Sequence, residues 1–110
     1  MRPSAWPQKL SFSRRVPSIG VITFELRLDE SHSLKDKRHF VKSLKDRLRS
    51  KFNVAVAEID YQDLWQRALI AVVTVSSDQM RAEQVLQNVE RDAVSLLGPL
   101  LVGTTTEWLT

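Results

Sequence analysis

The chain of 110 residues, 43% hydrophobic and 26% charged, suffices for one two-layer core but not for two independent ones. No stretch approaches the roughly 20 apolar residues of a membrane span, the first seventeen residues carry cations but no apolar core of a secretory leader, and zero cysteines exclude a disulfide framework and a thiolate metal site. The expectation is a cytoplasmic protein without membrane contact, metal or cofactor. The net charge of +3 hides an asymmetry: between Lys35 and Lys51 stand eight Lys or Arg and two Asp, and the segment before Ser18 adds four cations and no acid. The rest of the chain is acidic, a separation that favours oriented docking on a polyanion.

Residues 1–17, MRPSAWPQKLSFSRRVP, hold three prolines and scattered serines without a helical or strand period. They are expected to form a disordered extension ahead of a domain over 18–110. A second possibility is that translation starts at Val16; a native mass that includes residues 1–15 would exclude it. From Ile19 to Leu28 the chain alternates, with Gly20, Ile22, Phe24, Leu26 and Leu28 on one side and Val21, Thr23, Glu25 and Arg27 on the other. That is a half-buried strand.

Ser33 and Asp36 form an S-x-x-D cap for a helix running to about Phe52. Its apolar arc is Leu34, Val41, Leu44, Leu48 and Phe52, with Phe40 at the edge. A neighbouring arc carries Lys35, Arg38, Lys42, Lys45 and Arg49, a cationic row about 21 Å long. Asp46 interrupts it from the side. NVAVAEI reads as a second strand, and YQDLWQ as the connection to a third, RALIAVVTVSS. This third strand is apolar on both faces and therefore central. Leu69, Ala71, Val73 and Val75 are assigned to the helix side, because the other set, Ile70, Val72, Thr74 and Ser76, turns polar. A second helix starts at Ser77 or Asp78 and ends at Gly98-Pro99. The final LLVGTTTEWL is a weaker strand in which Gly103 suggests a bulge.

The order βαββαβ with right-handed crossovers predicts an α+β, ferredoxin-like sandwich: a four-stranded antiparallel sheet in the order 4-1-3-2 with both helices on one face. This topology brings Asp29 to Lys35, Tyr61 to Arg67 and Gly98-Pro99 to one end. A polar cluster of His32, Ser33, Lys37, Asp63, Trp65 and Arg67 is expected there as a partner or ligand site. Lys37 lies on the apolar arc, so it pairs with Glu58 or Asp63 or, the slightly favoured alternative, snorkels to water. Trp65 is expected to lid the core, although it could also stack on a base or anchor a partner. His32 and His39 have no third ligand at useful spacing, so no metal site is expected. Acylphosphatases share the topology, yet Asp29-Glu30 stands where their phosphate loop needs cations and glycine. No catalytic residue is assigned.

The basic row is the best functional signal. Charge runs are usually solvated helix faces, but five cations on a narrow arc repel one another where helices ordinarily intersperse acids. RNA phosphate is the obvious counter-charge. The open sheet face, assigned as Val21, Thr23, Ile70, Val72 and Thr74, carries no aromatic for base stacking and is apolar enough to form a homodimer.

SHSLKDKRHFVKSLKDRLRSKFNVAVAE followed by QDLWQRA strongly resembles the YlxP-like family of small bacterial proteins of unknown molecular function. The match runs from about Ile19 to Trp108. On its motifs fall Ser33, Leu34, Lys35, Lys37 and Arg38, then Asp63, Trp65 and Arg67. The resemblance implies the ferredoxin-like fold. Because genes of that family often neighbour those of translation initiation and ribosome maturation factors, it also implies a role near ribosome assembly. The two readings carried forward are a non-enzymatic factor docking on ribosomal RNA or a ribosomal subunit through the basic row, and a homo-oligomeric protein-interaction or small-ligand regulatory module using the His32/Trp65 end.

Overall fold

A computed structural model describes residues 16–110, and the expectations placed on residues 1–15 lie outside them. Ten residues of alternating burial form β1 (Ser18–Arg27), followed by α1 (Leu34–Lys51), β2 (Ala55–Asp60), β3 (Arg67–Ser76), α2 (Gln79–Leu97), a 3-10 turn at Gly98–Leu100 and β4 (Leu101–Trp108). The sheet order is β2-β3-β1-β4, antiparallel throughout, which is the expected 4-1-3-2 viewed from the other edge. This is the ferredoxin-like sandwich that the hydrophobic pattern predicts.

Each helix starts where its first turn finds an acceptor. Ser33 Oγ accepts the Asp36 N–H at 3.0 Å, while the Asp36 carboxylate reaches back to the His32 N–H at 3.0 Å. The Asp78 side chain does the same for the Arg81 N–H at 2.9 Å. Such caps each contribute about 1 kcal/mol. α2 ends at Gly98, whose φ of 54° is a left-handed value that glycine adopts without steric cost.

The core lies between the sheet and the two helices: Ile22, Phe24 and Leu26 from β1, Val41, Leu44 and Leu48 from α1, Leu86, Val89 and Leu97 from α2. Each large side chain there stabilises by about 1.5–3 kcal/mol relative to exposure. Gly20 makes room at the edge of this core. A Cβ there would come within 2.7 Å of both Leu86 and the Trp108 ring, so glycine lets the last aromatic of β4 lie across β1.

The face assignment of β3 is reversed from the expectation. Ile70, Val72 and Thr74 are buried against the helices together with Ala68, whereas Leu69, Ala71 and Val73 are half-buried and Val75 exposed on the open side. The pairing of Val72 with Ile22 and of Ile70 with Phe24 requires this, because directly opposed residues in an antiparallel pair share a face. Thr74 misled the assignment: its hydroxyl is inside, donating to the Asn53 carbonyl at 2.9 Å. Burial costs a hydroxyl little once it is bonded.

Candidate nucleic-acid interface

α1 turns three different sides to its surroundings. Val41, Leu44 and Leu48 face the core. Lys35, Arg38, Lys42 and Arg49 are exposed on the outer side, and Lys45 is half-exposed between them. Two members of this row share one carboxylate: Lys42 Nζ donates to Asp46 at 2.8 Å and Arg49 Nη2 at 2.9 Å. The hydrogen bond from Lys42, then that from Arg49, holds the Asp46 carboxyl below its usual range. Lys35, Arg38 and Lys45 have no salt-bridge partner among the described residues. Five cations against one carboxylate leave the row strongly positive, and an exposed ion pair is worth too little to keep Lys42 or Arg49 from a better anion.

A second shared carboxylate ties α1 to α2. Asp92 receives both Arg47 Nε and Nη2 at 3.1 Å and Lys51 Nζ at 2.7 Å. Arg47, through its hydrogen bonds, is the main cause that lowers the Asp92 carboxyl, against a partial opposing effect of burial, and Asp92 in turn raises Arg47. Sequence reading missed Asp92 because its partners lie 41 and 45 residues away.

Lys37 does not snorkel. Its residue is 1% exposed, and its ammonium reaches the carbonyls of Tyr61 at 2.6 Å, Gln62 at 3.3 Å and Arg67 at 3.3 Å. Those three acceptors match its three N–H donors. Glu58 Oε2 lies 2.9 Å away as a counter-charge outside hydrogen-bonding geometry. Of the two partners expected for Lys37, Glu58 is therefore the one in contact. The charge is held inside by the turn joining β2 to β3, so this lysine welds α1 to the hairpin and is not offered to a ligand.

The turn itself depends on Tyr61, the one non-glycine residue among those described with a left-handed backbone, φ 64°. Such a conformation costs roughly 1–2 kcal/mol. The Asp60 carboxylate supports it by accepting the Tyr61 N–H at 2.7 Å. The Tyr61 ring lies under the Arg67 guanidinium, 4.1 Å from its carbon, and the phenol accepts from Arg67 Nη2 at 3.0 Å. Arg67 also donates to Glu25 on the neighbouring strand, and that bond is the chief cause raising its pKa.

The six-residue cluster expected at this end is divided. Asp63, Trp65 and Arg67 line an open groove of about 780 Å³ on the sheet side, with Glu25 and Arg27 as its floor. Trp65 is 51% exposed there and lids nothing. Ser33 caps α1, exposed His32 gives its N–H to Asp36, and Lys37 is sealed beneath the hairpin. The end itself is joined as the topology requires: Leu28 N–H donates to the Gln66 carbonyl at 2.8 Å, and the Gln66 side chain donates to the Asp29 and Ser31 carbonyls at 3.2 Å. Tyr61, Gln66 and Glu25 escaped sequence reading; the alternation of β1 and the Arg67 strand start were the signals that could have paired Glu25 with Arg67. No group of three or more His, Asp or Glu among the described residues is placed to hold a metal ion, and no helix among them is long and apolar enough to cross a membrane.

Two comparisons place the chain among known proteins. The family model described as a protein of unknown function (DUF503) matches residues 19–96. The uncharacterized protein YlxP of Bacillus subtilis (strain 168) is 38% identical over 90 residues, covering 82% of this chain and 98% of that protein.

Proposed function

We propose that this chain, which belongs to the DUF503 family of proteins of unknown function and is similar to YlxP of Bacillus subtilis, is a non-enzymatic RNA-docking factor of the cytoplasm whose target is ribosomal RNA or a ribosomal subunit. The carrying observation is the outer side of α1, where Lys35, Arg38, Lys42, Lys45 and Arg49 face a single carboxylate among the described residues. Phosphate is the anion such a row fits, and counterion release supplies the affinity. The resemblance to YlxP-like proteins points to the ribosome as the source of that phosphate.

The test is sedimentation of a cell lysate through a sucrose gradient at low and moderate salt, comparing wild type with Lys42→Glu/Lys45→Glu/Arg49→Glu. Expected is co-migration with one ribosomal subunit at low salt, lost at moderate salt and in the variant. On isolated RNA, three to five phosphate contacts give a log–log salt slope of about −2 to −4. A folded wild type that stays at the top of the gradient at both salts overturns the reading.

Homodimerisation through the open face of the sheet belongs to the second reading, a homo-oligomeric module. The apolar residues of that face are Val21, Leu69, Ala71, Val73 and Val75 beside Thr23, replacing the earlier set of Ile70, Val72 and Thr74, which is buried. The groove beside Trp65 supports this second reading as a partner- or ligand-binding regulatory module. On that reading Trp65→Ala should abolish partner or ligand binding, while charge reversal on α1 should leave it nearly intact.

A further inference from the structure

The two edges of the sheet are finished differently. β2 is six residues long, breaks register between Glu58 and Asp60, and runs straight into the left-handed Tyr61. A short, bulged, acidic edge resists the addition of another strand. β4 is eight residues long, has no proline and carries Glu107 as its only charge; its own register break lies at the start of the strand, between Leu101 and Gly103, and leaves a regular edge from Gly103 to Trp108. Leu109 donates its N–H to the Ile19 carbonyl at 2.8 Å. By the two-residue alternation of an antiparallel pair, Glu107 and Thr105 also turn their backbone groups toward β1, and Thr104, Thr106 and Trp108 turn theirs to the edge that no strand among the described residues covers. The side chains of Thr104 and Thr106 are exposed as well, so the helix layer stops short of this strand. Val102, Trp108 and Leu109 remain 49%, 36% and 63% exposed.

We infer that β4 is a self-association edge, with a second copy of this chain as its occupant: two β4 strands pair antiparallel about a two-fold axis at Thr105 and make one eight-stranded sheet. The strand is complementary to itself in that register. Thr104 stands opposite Thr106 of the second copy, and both present the outward backbone groups that a hydrogen-bonded pair needs. Glu107 falls opposite Gly103, so the carboxylates do not meet. The regular ladder ends at this pair, because the bulge at Val102 breaks the register of β4 beyond Gly103. An axis at Thr104 would instead set Glu107 against Leu101. An edge of this length makes an interface at the small end of the range, so association is reversible and concentration-dependent.

The arrangement deepens the docking reading, and only this consequence rests on it. A two-fold normal to the sheet puts both α1 helices on the same side, so one RNA surface meets two cationic rows. A dimer through the open faces would point them in opposite directions. Glu83 and Glu90, which line the cleft between α2 and β4, face their counterparts across the new central strands. Added salt therefore strengthens the dimer while it weakens RNA docking.

The experiment is sedimentation velocity on the full chain over a concentration series at two salts, with amide hydrogen exchange followed by NMR. Expected is a monomer–dimer equilibrium that tightens with salt, with Thr104 and Thr106 amides protected more at high concentration. Thr106→Pro and Thr104→Lys/Thr106→Lys should be monomeric with wild-type melting; the double lysine variant leaves the β1 ladder untouched if the proline disturbs folding. Val73→Asp and the α1 charge-reversal variant should still dimerise. A monomer at every concentration, or a dimer that both edge variants preserve and Val73→Asp abolishes, overturns the inference.

Discussion

Lys37 and Lys45 sit two turns apart on the same helix and do opposite work. Lys37 is enclosed by three carbonyls and a carboxylate, whereas Lys45 stands half-exposed in a row of cations with no salt-bridge partner among the described residues. The difference lies in which arc of α1 each occupies and in what the β2–β3 turn brings to meet it. A run of basic residues thus mixes architecture with available charge, and counting its members conflates the two.

The contrast breaks most visibly at Lys37. Lys37→Ala leaves Glu58 and the Tyr61, Gln62 and Arg67 carbonyls buried without their cation and should cost about 3–5 kcal/mol, read by urea denaturation. A loss under 1 kcal/mol would mean that water takes the place of the ammonium and that the weld is dispensable. Asp92 tests the intermediate case, cations half committed to structure. Its carboxyl is lowered in the fold, so its contribution is present above the unfolded value near 4 and is lost as pH falls through the lower folded value. Asp92→Asn should therefore melt below wild type at pH 7 and lose less of its melting temperature than wild type between about pH 4 and 2. Lys45→Glu sharpens the other extreme. Stability should change by no more than about 0.5 kcal/mol, while the magnitude of the RNA salt slope falls by about 1.

How much of this was readable in advance depended on local redundancy. β1 was legible because ten residues alternate with Thr23, Glu25 and Arg27 marking the solvent side. β3 offered valines and leucines on both sides, so its orientation hung on Thr74, and one satisfied hydroxyl reversed it. The apolar arc of α1 flagged Lys37, and Glu58 was within the expected partners. The three carbonyls were beyond reach, since they converge only because Tyr61 adopts a left-handed backbone without the glycine or asparagine that usually announces one. The cationic row was legible from helical spacing alone. Its sharing of Asp46 followed from i,i+3 and i,i+4 geometry, but the parallel arrangement at Asp92 required the packed helices.

The enclosure of Lys37 also sets which mutations this helix tolerates. In the proposed docking role, lysine and arginine are exchangeable along the outer row, since counterion release from a phosphate backbone asks mainly for charge. Position 37 is closed to that exchange. An ammonium directs three donors to three separate carbonyls from one point, whereas a guanidinium is larger, flat and delivers its donors in a fixed fork. Lys37→Arg keeps the charge, the length class and the hydrophobic stem, yet it would prise the hairpin from the helix. Random drift through this gene can therefore rewrite the five codons of the outer row between lysine and arginine with little consequence, but not the codon of Lys37.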